Sequence, residues 1–81
     1  MLNKKELFEL VSVAIDPERL IDDESCEDNT PEWDSLGQLS ILASLDERTS
    51  GATSDLNDIS EANSIQKLVD ILKSNNLLSE G

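Results

Sequence analysis

Histidine is missing from this sequence altogether. That excludes a serine–histidine–acid triad and a cysteine–histidine pair, and removes the commonest zinc ligand. Cysteine is almost missing: Cys26 stands alone, so the chain can neither close a disulfide on itself nor build a thiolate metal site. Cations are scarce, with 6 Lys and Arg against 18 Asp and Glu and a net charge of −12. This balance argues against nucleic acid, which requires a basic footprint on the phosphates, and against anionic membranes. It favours partners with basic patches, attracted at long range and weakened by salt. No apolar run approaches the roughly 20 residues that span a bilayer, and there is no Gly-rich phosphate loop. Lys4, Lys5, Glu6 and Glu9 interrupt the N-terminal apolar residues, so no signal peptide is expected and a cytoplasmic location is the simplest expectation.

What is present reads as helix. Residues 1–81 make one small domain at most, with a modest core and no room for a large substrate cavity beside a catalytic apparatus. A binding, carrying or interaction module is expected, not an enzyme. Asn3 and Glu6 have capping-box spacing, and Leu2 and Leu7 fall where a hydrophobic staple would bridge the cap. Leu7, Leu10, Val11 and Ala14 follow at helical spacing, Phe8 and Ile15 widen the stripe, and Pro17 stops it. Residues 16–34 form a long acidic loop, with Leu20 and Ile21 as expected core anchors and Trp33 as a pin against the bundle. Its acidic stretch from Asp22 to Asp28 lacks the central glycine and spacing of an EF-hand, so no dedicated metal site is expected.

A second helix begins near Ser35, with Gln38 at capping-box spacing. Leu36, Leu39, Leu42 and Ala43 form one stripe, extended by Ile41 and Leu45. Gly37 is a poor helix former and marks a close approach of backbone or ligand. Gly51 suits a left-handed position after the helix. Leu56 and Ile59 support one short helix or turn. Asn63 or Ser64 then caps a last helix buried through Ile65, Leu68, Val69 and Leu72. Nothing alternates with a period of two, so strands are not expected. The fold class is all-α: three main helices plus a short one, with the first two parallel or antiparallel.

Ser35 carries the chemistry. Read from position, it is a helix N-cap contributing about 1 kcal/mol. The order Asp34-Ser35-Leu36, at the start of a helix in a small acidic chain, resembles the acyl carrier proteins of the phosphopantetheine-binding family. There an Asp-Ser-Leu motif opens the second helix of a four-helix bundle. The resemblance covers nearly the whole chain, with Asn3 to Ile15, Ser35 to Arg48, Asp55 to Ala62 and Ser64 to Lys73 standing for the four helices. It implies a covalent cofactor, 4′-phosphopantetheine, on Ser35. A separate holo-carrier-protein synthase would install it from coenzyme A, and the arm would carry acyl or aminoacyl groups as thioesters for a fatty-acid, polyketide or other specialised pathway. It implies that Asp34 helps bind Mg²⁺ in the modifying complex; its alternative role is to fix the loop before the helix. It also implies that Leu36 contacts partner enzymes, against a core reading of the same residue. Leu39, Leu42 and Leu45 are read as core, and by resemblance also line the space for an acyl chain. Gly37, Ser40 and Arg48 stand where that family is often acidic, and Thr49 where it is often bulky and apolar; Asp46 and Glu47 retain negative charge for partner contact. This pattern fits a carrier dedicated to a specialised pathway, acting as a monomer. The alternative is a non-catalytic acidic module that binds a basic partner.

Overall fold

A computed structural model describes residues 2–79. Three α-helices, α1 (Lys4–Ile15), α2 (Ser35–Arg48) and α3 (Ile65–Ser74), are accompanied by two 3-10 turns, Ala52–Asp55 and Ile59–Glu61. The described residues form no strand, only isolated bridges between Leu2 and Leu78 and between Cys26 and Ser64.

The local signals at α1 act as the sequence predicts. Asn3 Oδ1 accepts from the Glu6 N–H at 2.8 Å, and Glu6 Oε1 accepts from the Asn3 N–H at 3.1 Å, completing the capping box. Leu2 and Leu7, the two staple residues, are both buried. The helix ends where Asp16 turns left-handed (φ 46°) and Pro17 forbids continuation. At α3 the cap is Ser64, whose hydroxyl accepts from the Lys67 N–H at 3.1 Å. Ile65, Leu68, Val69 and Leu72 are its buried face.

The first two helices run antiparallel. Arg48 at the end of α2 pairs with Glu6 in the first turn of α1, while the first turn of α2 abuts Ile15 at the end of α1. A single core gathers Leu7 and Val11 of α1, Ile41 and Leu45 of α2, the buried face of α3, and Ile21, Trp33, Ile59 and Leu78 from the connections. Leu78 packs back: the Ser79 N–H donates to the Leu2 carbonyl at 2.8 Å.

The long first connection is built from turns. Ser25 Oγ accepts from the Asp22 N–H at 2.9 Å, Asp22 Oδ1 accepts from the Glu24 N–H at 2.9 Å, and Asn29 Oδ1 accepts from the Cys26 N–H at 3.0 Å. These short polar side chains close local rings with the backbone, the usual reason they occupy turns. The loop is then fastened to the start of α3 by Ile65 N–H to Ser25 O (2.9 Å) and Glu27 N–H to Asn63 O (3.0 Å).

Several expectations are corrected. Leu20 is not a core anchor but 93% exposed; its neighbour Ile21 alone turns inward. In place of one short helix over Asp55 to Ala62 there are two 3-10 turns, Ala52–Asp55 and Ile59–Glu61, with residues 56–58 between them and Leu56 in extended conformation (φ −91°, ψ 115°). Their bonds span three residues, as in Leu56 N–H to Thr53 O and Ala62 N–H to Ile59 O, both 3.1 Å. Thr53, Ser54, Asn57 and Asp58 favour turns over helix, and of the large apolar residues there only Ile59 is buried. In α2 the inward line is Gly37, Ile41 and Leu45, so Leu39 lies outside the core at 63% exposed.

Candidate functional site

The start of α2 is set by the residue before the serine. Asp34, in extended conformation, is the N-cap, and its Oδ1 accepts from the Gly37 N–H at 2.8 Å. Ser35 is therefore the first helical residue rather than the cap, and no capping box forms between Ser35 and Gln38. Releasing Ser35 from capping leaves its side chain exposed and without a structural task. The Asp34 carbonyl accepts the first intrahelical bond, from the Gln38 N–H at 2.8 Å. The N–H groups of Ser35 and Leu36 have no intrahelical acceptor, as helix geometry requires at this end.

Gln38 has a different task. Its Oε1 accepts from Trp33 Nε1 at 2.6 Å, and its Nε2 donates to the carbonyls of Ala62 (3.1 Å) and Ser60 (3.3 Å). One side chain thus ties the end of the first loop, the start of α2 and the second 3-10 turn together. Trp33 is 1% exposed, an anchor and not a partner contact. Nothing in the sequence marks Gln38 for this role, because the Ser60 and Ala62 carbonyls it binds come from a distant segment.

Gly37 explains how the loop reaches the helix so closely. A Cβ here would run into the Glu32 carbonyl oxygen and come within 3.0 Å of Ile15 Cγ2. The approach anticipated at this glycine is made by the chain's own backbone, not by a ligand cradle.

Around Ser35 the surface is apolar and anionic. Leu36 is 75% exposed and Leu39 63%, and Leu39 lies one turn beyond Ser35 on the same side of the helix. Half-buried Leu42 continues that line, so Ser35, Leu39 and Leu42 form a track descending from the hydroxyl towards the core. No Lys or Arg stands between Arg19 and Arg48 in the sequence. The helix N-terminus here offers the N–H groups of Ser35 and Leu36, to which the oxygens of an anion can be hydrogen-bonded.

Asp34, Ser35 and Leu36 act at one place; Asp46 and Glu47 do not join them. They lie about three turns along α2, roughly 16–18 Å from Ser35 at 1.5 Å per residue. Glu47 is exposed, whereas Asp46 is half-buried, with Oδ1 enclosed and without a hydrogen-bond partner. Among the described residues no cluster of three or more Cys, Asp or Glu is arranged to hold a metal ion, and no helix is long and apolar enough to cross a membrane.

No family model, curated protein or solved structure matches this chain.

Proposed function

We propose that this chain is an acyl carrier protein and that Ser35 is its attachment point for 4′-phosphopantetheine. One observation carries the reading: an exposed serine with no structural duty opens a long helix, flanked by two leucines that folding leaves in solvent. In the modification, Ser35 Oγ attacks the β-phosphorus of coenzyme A, the pyrophosphate bond breaks, and adenosine 3′,5′-bisphosphate leaves. The hydroxyl proton passes to a base on the transferring enzyme, because a serine without a neighbouring base is a weak nucleophile and this chain contains no histidine. The residues fit the group. The unbonded N–H groups of Ser35 and Leu36 favour the phosphodiester, and the exposed hydroxyl leaves the arm free to swing. The arm ends in a thiol that holds an acyl group as a thioester, and the track past Leu39 to Leu42 offers an apolar path for the chain.

Asp34 serves first as the helix cap; with that bond in place its second oxygen remains able to face the Mg²⁺ of a modifying complex. Leu36 belongs to partner recognition. The other carboxylates supply long-range attraction to basic enzymes, with Glu47 the exposed one at the far end of α2.

Incubation with coenzyme A, Mg²⁺ and a broad-specificity phosphopantetheinyl transferase tests the reading. Intact-mass measurement should show one added phosphopantetheine group on the native chain and none on Ser35→Ala. Because Asp34 carries the cap, that variant should keep its stability within about 0.5 kcal/mol. A folded native chain that gains no mass would overturn the carrier reading and leave the second one, an acidic module for a basic partner, whose binding would be indifferent to Ser35→Ala.

A further inference from the structure

Between α1 and α2, towards the Glu6–Arg48 end, runs an open groove of about 620 Å³. Its apolar content comes from α1: half-buried Leu10, and Val13, which is 84% exposed although only three other large apolar side chains among the described residues stand so freely in solvent, Leu20, Leu36 and Leu39. Its rims are anionic, with Glu6 and Glu9 on α1 and Glu47 on α2. The one cation lining it, Arg48, is already paired with Glu6. Folding does not explain Val13, since the helix turns Leu7 and Val11 into the core and leaves Val13 outside.

We propose that this groove docks a basic amphipathic helix from a partner protein, with an apolar ridge over Leu10 and Val13 and Lys or Arg side chains reaching Glu9 and Glu47. Two antiparallel helices present a furrow into which a third helix packs. Carboxylates on both rims, beside a single neutralised cation, select a cationic occupant over an anionic or neutral one. The same charge excludes an anionic lipid surface. The proposal does not rest on Ser35: the groove lies at the opposite end of α2, so it stands whether or not the chain carries a phosphopantetheine arm.

A synthetic peptide of about four helical turns, with leucines on one face and lysines on its flanks, serves as the probe. Titrated into the ¹⁵N-labelled full chain, it should bind saturably and shift the amides of Leu10, Val13 and Glu47 most. Val13→Ser should weaken it about tenfold, the loss expected for an exposed valine that becomes buried on binding. Glu47→Lys should weaken it by a similar factor and flatten its salt dependence. Leu36→Ser and Ser35→Ala should leave the affinity unchanged. Both groove positions are exposed, and the spectra themselves report whether each variant remains folded. Shifts centred on Leu36 and Leu39, shifts centred on the acidic surface by Asp55 and Asp70, equal binding of a scrambled peptide of the same composition, or no saturable binding would each overturn the proposal.

Discussion

Helices α2 and α3 carry similar numbers of aliphatic residues and use them in opposite ways. In α3 the apolar side chains lie on one side, and four of them are buried. In α2 they encircle the helix: Ile41 and Leu45 face the core, while Leu36 and Leu39 face solvent. An amphipathic helix with a single stripe needs only the core to explain it. A helix that keeps leucines on its outer side, next to an exposed serine, has more apolar surface than folding requires. The difference separates what holds the domain together from what it presents to other molecules.

The comparison breaks most sharply at paired leucines. Leu68 is fully buried in α3, and Leu68→Ala should lower the unfolding free energy by about 2–5 kcal/mol. In a small domain that is a large part of the total. Leu39→Ala in α2 should cost less than about 0.5 kcal/mol. Urea denaturation of the two variants decides the matter; equal losses would place Leu39 in the core and remove the contrast.

Next in size is Gly37→Ala. Helix propensity alone predicts a gain of up to about 1 kcal/mol for replacing this first-turn glycine by alanine. The new Cβ, however, meets the Glu32 carbonyl and Ile15, and overpacking of this kind costs about 1–3 kcal/mol. The expected outcome is net destabilisation, read as a lower denaturation midpoint. A more stable variant would mean that the loop yields and that the glycine is not held there by close approach.

An effect of comparable size is expected from Gln38→Leu, which removes the acceptor for the buried Trp33 indole N–H. Leaving that donor unpaired should cost about 1–3 kcal/mol, with a change in tryptophan fluorescence as the indole loses its partner. Unchanged emission and stability would show that Gln38 does not join the loop to α2.

How much of this was legible in the sequence follows from the same contrast. The α1 cap and the α3 stripe were readable because separate signals agreed: a capping pair or a capping serine, then one apolar face. The outer face of α2 was not, because Leu36, Leu39, Leu42 and Ala43 repeat at helical spacing as well as Ile41 and Leu45 do. Periodicity cannot choose between two such sets, and the residue that decides, Gly37, has no side chain to weigh. It turns inward because a carbonyl needs its space. Leu20 and Ile21 posed the same problem in the loop, where adjacent side chains could not both face the core. The candidate site stands out in the sequence as a motif, but the sequence places its cap one residue late: Asp34 and Ser35 are both good caps, and the register of the first turn is set by the tertiary fit of Gly37. Gln38 gives a local signal only for a capping box it does not form; two of its partners, Ser60 and Ala62, lie more than 20 residues away.

The smallest effect on stability should come from the pair Leu36→Ser and Leu39→Ser, and it bears most on function. Both side chains are largely solvated in the folded protein, so little apolar area returns to water when they are replaced. Unfolding should change by less than about 0.5 kcal/mol per site, within the range of ordinary surface substitutions. If the outer leucines serve recognition, the same variant should accept phosphopantetheine about tenfold more slowly at limiting transferase, as expected when an apolar contact worth about 1.4 kcal/mol is lost from an interface. A stable variant modified at the native rate would strip Leu36 and Leu39 of that role in arm transfer while leaving Ser35 itself in place. A variant that unfolds would return the leucines to the core and make α2 a helix like α3. The expected pairing, unchanged stability with slowed transfer, is the one result in which the apolar excess of α2 has a use outside the fold.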